Sequence, residues 1–381
     1  MPNKTLKIGI IAGEDSGDLL GASLMQDFVK IYPHCEFIGV GGDKMLAQGL
    51  NRIVSNKEFA IMGLVEVISK LPRLLKLRHN IIKQLKAQNI SIFIGVDAPD
   101  LNFPIEKKLK KQGVKIIHYV SPSIWAWRPN RAIWISQLTD LVLTLFPFEP
   151  SYYQREKGQA LFVGHPLAQN IALTIDKKSA KKQLGLDVNR PVLAVLPGSR
   201  NNELKAHTEI FLKTAAALQK LDPKLQIISA NTNRSKIRYI QEAANRQQLK
   251  IGIHKDASAV LKAANSALLA SGTVALEAML CKTAMVVGYK ISPFTYKIVK
   301  SFKMMLLPYY SLPNVLYGGF LVPEVLQNNM TSENLLQELI KVSKPHAQEQ
   351  FRLEFTRLHQ DLLSPEFNAA IAVKNFIEQQ Q

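Results

Sequence analysis

Cysteine is almost absent from this chain of 381 residues, in which only Cys35 and Cys281 occur. Two cysteines are too few for a disulfide framework at this length, so we expect a reducing compartment and two thiols packed in the core. Uninterrupted runs of 18 apolar residues are also absent, which argues against a membrane-spanning helix. The short apolar run at the N-terminus ends in acids and glycines and predicts a first β-strand instead of a signal peptide.

Acidic residues are in deficit, with 30 Asp and Glu against 48 Lys and Arg and a net charge of +18. The excess of basic residues is concentrated in residues 51–300, which hold 38 basic and 16 acidic side chains, whereas each end of the chain is slightly acidic. Such a basic middle predicts an anionic partner. Composition alone leaves open whether that partner is nucleic acid, an acidic membrane surface or a phosphorylated small molecule.

Several motifs of catalysis and metal binding are missing as well. The chain has no GxxxxGK[ST] segment, no GxSxG nucleophile elbow and no Cys and His spacing typical of zinc. The sequence therefore disfavours a P-loop NTPase and requires no metal or other cofactor. Apolar residues still make up 47% of the chain, enough for a sizeable core, and the length predicts two domains.

Short apolar runs alternate with longer helical patterns along the chain. The runs are apolar throughout, as expected of strands buried on both faces of a parallel sheet, with helices as crossovers. The predicted strands are Leu6–Ile11, Glu36–Val40, Ile92–Val96, Val114–Tyr119, Leu141–Leu145, Leu161–Val163, Val192–Leu196, Leu225–Ser229, Ile251–His254, Ala267–Ala270 and Ala284–Tyr289. A polar and basic stretch at 164–190 divides them into two series. We expect an α/β fold of two Rossmann-like, doubly wound domains that face each other across a cleft, with a helical C-terminal segment.

Ligands of such sheets bind at the carboxyl ends of the strands, and the LPGSR segment at 196–200 follows a strand of the second domain. Gly198 and Ser199 would expose N–H groups at a helix start, and Arg200 adds a guanidinium suited to phosphate oxygens. The segment therefore predicts a phosphate contact.

A second turn of that domain, Ser271-Gly272-Thr273, also follows a strand. A helix that begins there would aim its N-terminal amides at a diphosphate, and Glu277, one turn later, could accept from both hydroxyls of a ribose. A plain N-cap followed by an ordinary helix acid is the alternative for this turn alone. Together with Arg200 in the same domain, the turn favours a nucleotide.

Acidic turns follow two strands of the first domain. The GEDSGD turn at 13–18 has three acids, which suit sugar hydroxyls better than phosphate, although an acidic cap at a strand-to-helix turn explains it equally well. Asp97 lies at the edge of another strand and is the candidate general base for a hydroxyl nucleophile. Asp100, close by, is expected to cap the next helix.

Two tryptophans, Trp125 and Trp127, lie beside a further strand end. A tryptophan ring exposed to water is unfavourable unless it packs in the core or contacts an apolar ligand. Core packing of one of the two rings therefore stays an alternative. With Arg128 next to them, they predict a cleft wall near a ligand that is both anionic and apolar.

Residues 63–86 form a basic amphipathic stretch in which apolar residues follow helical spacing. Such a segment can lie in the interface of an anionic membrane, whereas an ordinary crossover helix with its stripe in the core is the alternative. No nucleic-acid recognition motif accompanies it. Pro72 is expected to kink or split the helix. The residues predicted to contact the membrane are Leu64, Val67, Ile68, Leu71, Leu74 and Leu75.

Nine segments, in order from about residue 8 to residue 315, together resemble the lipid-A-disaccharide synthase family. They are GEDSGD, IMGLVEV, GVDAPDLN, HYVSPSIWAWR, FVGHP, LPGSR, SGTVALE, VVGYK and SLPN. The resemblance implies a GT-B fold and an inverting glycosyltransferase that needs no metal. Its substrates would be UDP-2,3-diacylglucosamine and 2,3-diacylglucosamine 1-phosphate, joined into the β-1,6-linked disaccharide of lipid A with release of UDP.

The resemblance also implies roles for single residues. Asp97 would be the catalytic base, Arg200 a phosphate contact and Asn314 of the SLPN segment an essential residue of the cleft. Related GT-B enzymes place counterparts of Glu277 on the ribose and of the 271–273 turn on the diphosphate. The residues assigned to the acceptor side of the cleft are Glu14, Ser16, Trp127 and Arg128.

The implied domains are an acceptor domain at 1–167, completed by a C-terminal helix at 366–381, and a UDP-sugar domain at 168–365. The family acts at the cytoplasmic face of the inner membrane of Gram-negative bacteria, so we expect peripheral binding to an anionic surface, no nucleic-acid partner, and either a monomer or a homodimer. Two alternatives stay open. One is another GT-B enzyme, such as a UDP-N-acetylglucosamine 2-epimerase or the peptidoglycan glycosyltransferase, and the other is a basic protein that only binds membranes or nucleic acid.

Overall fold

The computed structural model describes residues 5–59, 64–127, 130–291, 308–364 and 368–379, and for residues 64–71 and 127 it describes the backbone alone. The chain divides into two compact units. Unit 1 comprises Met1–Pro166 and Leu362–Gln381, and unit 2 comprises Leu167–Asp361.

Each unit is built on one parallel sheet. The strands of unit 1 are β1 (Leu6–Ala12), β2 (Cys35–Gly41), β3 (Asn51–Ser55), β4 (Ile92–Val96), β5 (Lys115–Tyr119), β6 (Leu141–Thr144) and β7 (Ala160–Phe162). Those of unit 2 are β8 (Val192–Leu196), β9 (Gln226–Ala230), β10 (Gly252–His254), β11 (Ser266–Leu269), β12 (Ala284–Tyr289) and β13 (Glu324–Leu326). Across the sheets the order is β3-β2-β1-β4-β5-β6-β7 in unit 1 and β10-β9-β8-β11-β12-β13 in unit 2.

Helices connect the strands. In chain order they are α1 (Asp15–Ile31), α2 (Asp43–Ala47), α3 (Leu64–Ala87), α4 (Pro99–Lys110), α5 (Ile124–Trp127), α6 (Arg131–Leu138), α7 (Pro150–Gln154), α8 (Pro166–Asn170), α9 (Lys177–Gln183), α10 (Asn201–Leu221), α11 (Arg234–Arg246), α12 (Ala257–Ala263), α13 (Thr273–Leu280), α14 (Leu312–Tyr317), α15 (Ser332–Val342), α16 (Pro345–Asp361) and α17 (Ala369–Glu378). Two short 3-10 turns lie at Asn56–Phe59 and Gln327–Asn329 within the described ranges. None of the helices among the described residues has the length and apolar character needed to cross a membrane.

The core of unit 1 has two layers, one on each face of the sheet. Because successive side chains of a strand point to opposite faces, Ile8 and Ile10 of β1 pack in one layer and Ile11 in the other. The first layer is completed by α1 and by α17, whose Val373 is fully buried. The second is completed by α3 and α4, with Ile105 fully buried. The last helix of the chain is therefore part of the core of unit 1.

Pro72 was expected to kink or split α3, and it does not split it, because the helix runs without interruption from Leu64 to Ala87. Its C-terminal half is an ordinary core helix, because Ile81 and Leu85 are fully buried in the second layer. The packing of that half offsets the backbone hydrogen bond that proline removes.

In unit 2 the central strands β8 and β11 are buried along their whole length, as strands covered on both faces must be. The helices α10 and α15 lie side by side, and the Thr214 hydroxyl donates to the Ser332 hydroxyl over 3.2 Å. The predicted helical C-terminal segment is confirmed by α15, α16 and α17.

Every predicted strand is present within one residue of its expected ends. The prediction omitted β3 and β13, which lie at sheet edges and carry polar residues, so they lack the continuous apolar signal. The polar stretch 164–190 is not bare linker, since α8 and α9 lie in it. Of the two thiols expected in the core, Cys281 is buried, but Cys35, at the start of β2, is only half-buried.

Candidate functional site

The strand order reverses once in each sheet, and four of the predicted motifs lie at these reversals. The reversal lies between β1 and β4 in unit 1 and between β8 and β11 in unit 2. At such a point the two connections leave toward opposite faces, so a crevice opens outside the carboxyl ends of the strands. The 13–18 turn and Asp97 follow β1 and β4, and the LPGSR segment and the 271–273 turn follow β8 and β11. Within each unit, the fold thus brings two predicted motifs together.

Asp97 lies directly after β4 in an unusual backbone conformation. Its φ is +51° and that of Ala98 is +42°, so two consecutive residues with side chains are left-handed. Each costs about 1–2 kcal/mol, and such strain is concentrated at functional sites. The Asp97 amide donates to Tyr119 O over 2.8 Å. Its half-buried carboxylate has no hydrogen-bond or ion-pair partner among the residues that the structure describes.

Asp100 does not cap α4, contrary to expectation. The helix begins at Pro99, its N-cap is the left-handed Ala98, and no side chain provides a cap bond. Asp100 instead lies in the first turn, exposed to solvent, where its charge interacts favourably with the N-terminal end of the helix dipole.

The acids of the 13–18 turn have two different environments. Asp18 is buried, and its carboxylate accepts hydrogen bonds from Gly42 N over 2.7 Å and from Lys44 N and Met45 N over 3.1 Å each. It therefore satisfies the amides at the start of α2 and is structural. Glu14 and Ser16 are exposed at the carboxyl end of β1.

Of the two tryptophans, Trp125 is a core residue. It is 8% exposed, packs edge-on against Phe148 at 5.4 Å and donates from Nε1 to Glu149 Oε1 over 3.2 Å. Burial raises the pKa of Glu149 to about 8, although the N–H donors that surround the carboxylate act in the opposite direction and lower it. The side chain of Trp127 and all of Arg128 lie outside the described residues, so their predicted place in the cleft stays a prediction.

The LPGSR segment ends at Arg200, which is the N-cap residue of α10. A carboxylate already occupies this helix start, because Glu203 Oε2 accepts from Ser199 N over 2.9 Å and from Arg200 N over 3.1 Å. Burial opposes ionisation of Glu203, but these N–H donors and the Arg200 guanidinium outweigh it and lower the pKa of the carboxyl. The Arg200 side chain bonds Glu203 Oε1 over 3.0 Å and is otherwise 82% exposed. Ser199 and Arg200 are thus arranged around an anion.

The 271–273 turn has an open backbone. Gly272 has a φ of +136°, and a Cβ added there would meet nothing within 4 Å. Glu277, one turn into α13, is half-buried. Burial, and after it the charge of Asp256, raise the pKa of Glu277. The turn and Glu277 are therefore close to the start of α12.

The His207 side chain connects the residues that directly follow β8 and β12. The Lys290 amide donates to His207 Nε2 over 3.0 Å, so Nδ1 carries the proton and donates to Pro197 O, also over 3.0 Å. Burial lowers the pKa of His207 and keeps the ring neutral. The LPGSR segment is thereby fixed against the end of β12.

Asn314 is fully buried, and its amide is saturated with hydrogen bonds. Its Nδ2 donates to Val322 O over 2.9 Å and to Glu324 Oε1 over 2.8 Å, while its Oδ1 accepts from Leu321 N and Val322 N. No donor or acceptor of this side chain is left for a substrate. The Asn314 side chain is therefore bonded to the segment 321–324, and its expected place as an essential residue of the cleft stays a prediction.

Glu324 is the centre of that network. Its Oε1 also accepts from the Ser311 amide over 2.8 Å and the Ser311 hydroxyl over 2.7 Å, and its Oε2 accepts from Tyr310 N over 2.9 Å. Tyr310 O in turn accepts a long bond of 3.4 Å from the Ser271 hydroxyl. One carboxylate thus connects the SLPN segment with the 271–273 turn.

Sequence reasoning missed Glu203 and Glu324. Glu203 has a signal, since an acid three residues after an N-cap is the pattern of a capping box. Glu324 has none, because it lies 10 to 14 residues from its partners and on an edge strand. In the described ranges, no group of three or more His, Cys, Asp and Glu side chains is placed to hold a metal ion.

The N-terminal half of α3 is where the membrane contact was predicted. Leu75 is 51% exposed and Leu74 is half-buried, with Arg73 and Lys76 exposed beside them. The side chains of Leu64, Val67, Ile68 and Leu71 lie outside the described residues, and for these the prediction stands untested.

Solved structures with the same fold are known at low sequence identity. S. aureus MnaA, in a structure with UDP, has a TM-score of 0.65 at 13% identity and covers 98% of this chain and 96% of its own. A UDP-GlcNAc 2-epimerase from Neisseria meningitidis, bound to UDP-GlcNAc, has a TM-score of 0.60 at 11% identity, over 98% and 99% of the chains. These likenesses show the fold, and the expected α/β class of GT-B type is confirmed.

Sequence comparison shows the family. A family model described as Lipid-A-disaccharide synthetase matches residues 8–370. The Lipid-A-disaccharide synthase of Pseudoalteromonas translucida is 43% identical over 378 residues, 98% of each chain. That of Vibrio cholerae is 42% identical over 361 residues, 94% of each chain. With matches of this extent, the chain belongs to the lipid-A-disaccharide synthase family.

Proposed function

We propose that each unit of this enzyme carries one part of its reaction, the UDP group of the donor in unit 2 and the base for the acceptor in unit 1. As a member of its family, the chain is a hexosyltransferase of lipid A biosynthesis. It joins UDP-2,3-diacylglucosamine to 2,3-diacylglucosamine 1-phosphate in a β-1,6 linkage and releases UDP. The observation that carries the assignment of residues is the half-buried Asp97, whose carboxylate has no partner among the described residues. It lies at the switch point of unit 1, the place between β1 and β4 where the strand order reverses.

The switch point of unit 2 suits a nucleoside diphosphate. Arg200 offers a largely exposed guanidinium, and Gly272 allows close approach of the backbone at the start of α13. Glu277 lies one turn further along α13, at the reach of a ribose that follows a diphosphate bound there. Positive charge and helix N-termini at this place stabilise the diphosphate as it leaves the sugar, because negative charge develops on its bridging oxygen.

Asp97 is the base in this proposal. As the 6-hydroxyl of the acceptor attacks the anomeric carbon of the donor, its proton passes to the Asp97 carboxylate, the bond to UDP breaks, and the configuration inverts. A carboxylate held by several N–H donors would be a poor proton acceptor, and Asp97 has none among the described residues. Glu14 and Ser16, exposed at the end of the neighbouring strand β1, are proposed contacts of the acceptor sugar.

The basic helix α3 is the proposed membrane contact. Exposed Leu75 with exposed Arg73 and Lys76 around it combines an apolar group with the charge that anionic headgroups attract. The acyl chains of both substrates keep them in a bilayer, so an enzyme that acts on them needs such a surface. We therefore place the enzyme peripherally on the inner face of the inner membrane.

Product analysis with a matched pair of variants tests the base. With both lipid substrates supplied in mixed micelles, Asp97→Asn should lower kcat by about 100- to 10,000-fold, as loss of a general base does, and leave the affinity for UDP unchanged. Asp100→Asn, which removes an exposed carboxylate three residues away, should keep nearly full activity. Mass spectrometry of the disaccharide 1-phosphate and of UDP gives the readout.

Two results would contradict the proposal. Wild-type turnover of Asp97→Asn would exclude Asp97 as the base, and formation of an epimer from UDP-N-acetylglucosamine alone would favour an epimerase.

A further inference from the structure

The side chain of Asn102 joins the two strands at the switch point of unit 1. It is fully buried, and its Nδ2 donates to Asp97 O over 2.7 Å, with Val96 O at 3.3 Å and Ile11 O at 3.4 Å. Val96 ends β4, and Ile11 is the penultimate residue of β1. One amide group therefore holds three carbonyls at the edge where Asp97 lies.

The backbone at this edge needs such a restraint. Asp97 and Ala98 are both left-handed, a conformation that residues with a side chain keep only where their surroundings enforce it. The flanking bonds are regular, with Asp97 N on Tyr119 O at one side and Asn102 N on Ala98 O, over 3.0 Å, at the other. The Asp97 carbonyl lies between them, and its partner is the Asn102 side chain.

A buried acid on the same face of α4 as Asn102 pairs with a buried imidazole. Glu106, one turn later on α4, contacts His118 Nδ1 through Oε1 over 2.7 Å, and both side chains are fully buried. Gly95 leaves the room for them, because an added Cβ would lie 2.2 Å from Glu106 Oε1 and 3.1 Å from Asn102 Cβ. The face of α4 that carries Asn102 is thus packed directly on β4 and β5.

We propose that Asn102 is the positioning residue of the base: by holding the Asp97 carbonyl it keeps the left-handed 97–98 backbone and thereby aims the Asp97 carboxylate. Asn102 does not touch the substrate in this scheme. The proposal rests on the proposed role of Asp97. Without the bond, the backbone relaxes toward its ordinary conformations and moves the carboxylate, so the chemical step slows while substrate binding is retained.

Asn102→Ala and Asn102→Asp test this, with Thr139→Val as the control. Thr139 is also buried and hydrogen-bonded but precedes β6, at the amino end of the sheet. Both variants of Asn102 should lower kcat by about 100-fold, with KM changed less than about threefold, whereas the control keeps its kcat. The measured kcat is divided by the folded fraction determined by circular dichroism, so that a loss of stability is not read as a loss of catalysis.

Asn102→Asp adds a second measurement, the pH dependence of kcat, which would not change if Asn102 only stabilised the fold. A protonated aspartic acid can donate to the Asp97 carbonyl, whereas an ionised carboxylate cannot. The ratio of the kcat of this variant to that of the wild type should therefore rise as the pH falls, and the ratio for Asn102→Ala should stay constant. A flat ratio for Asn102→Asp would overturn the proposal.

Combination with Asp97→Asn separates the two proposals. If Asn102 acts through Asp97, then Asn102→Ala should cost less than about threefold in an Asp97→Asn background. The same 100-fold loss in both backgrounds, or wild-type kcat of folded Asn102→Ala, would overturn the role of Asn102 and leave the base intact. Full activity of Asp97→Asn alone would instead remove the base.

Discussion

Replacement of Glu324 by glutamine should destabilise unit 2 and weaken its affinity for UDP. The Glu324 carboxylate accepts four hydrogen bonds, three at Oε1 and one at Oε2, and all four donors belong to the segment 310–314. A glutamine that keeps its oxygen at the Oε1 place retains three bonds in neutral form. Its NH₂ group then faces the Tyr310 amide, so two donors oppose each other.

The size of the effect follows from these bonds. Hydrogen bonds to a charged group contribute about 1.5–3 kcal/mol each and neutral ones about 0.5–1.5 kcal/mol. One charged bond is lost and three are weakened, but bonds on one carboxylate are not additive and Glu324 is half-buried, so we expect a loss of about 3 kcal/mol. Because Tyr310 also accepts from Ser271 in the 271–273 turn, the Kd for UDP should rise about tenfold.

Urea denaturation and calorimetric titration with UDP measure the two effects. The matched control is Glu242→Gln on α11, which removes a carboxylate paired with Arg238 at the surface of the same unit. That variant should unfold and bind UDP like the wild type. If Glu324→Gln lost less than about 1 kcal/mol, or bound UDP unchanged, Glu324 would not be the centre of the network that we describe.

Two further predictions concern the membrane and pH. Leu75→Ser should reduce cosedimentation with anionic vesicles, because it removes a half-exposed apolar group beside cations. The control Leu353→Ser, at a similarly exposed leucine of unit 2, should not reduce it. Equal binding of both variants would refute the membrane contact. Burial lowers the pKa of His165 to about 4, below the value of about 6.5 in an unfolded chain, so unit 1 should lose up to about 3 kcal/mol as the pH falls through that window. Urea denaturation from pH 7 to 4 should show a shallower loss for His165→Leu than for the wild type or for exposed His34→Gln, and parallel curves would refute the assignment.

The strands could be predicted because each carries its own signal. A run such as Ile92–Val96, apolar at every position, must be buried on both faces, and this requires no knowledge of the rest of the chain. The edge strand β13 escaped prediction because three residues, one of them Glu324, give no such signal. The switch points could be predicted as the sites of ligand-binding turns, since turns with glycine or with acidic residues follow the strands that meet there.

The roles of polar residues were harder to predict. Asp18 and Asp97 both follow a buried strand in acidic segments. The Asp18 carboxylate accepts hydrogen bonds from three backbone amides of residues 42–45, whereas the Asp97 carboxylate has no partner among the described residues. Local sequence does not distinguish them, because the partners of Asp18 lie 24 to 27 residues away. Asn314 likewise belongs to a recognisable segment, but only the folded chain shows that its side chain is bonded to 321–324.

The sequence by itself determined the α/β class, the places of the buried strands and the family, because apolar runs and the order of motifs can be recognised in it directly. The tertiary structure decided which polar groups are used up in the fold and which are left for chemistry. Hydrogen bonds are short and directional, so their partners are known only when distant segments are brought within about 3 Å. Asn102 in unit 1 and Glu324 in unit 2 are examples, since partners such as Ile11 for Asn102 and Tyr310 for Glu324 come within reach only in the folded chain.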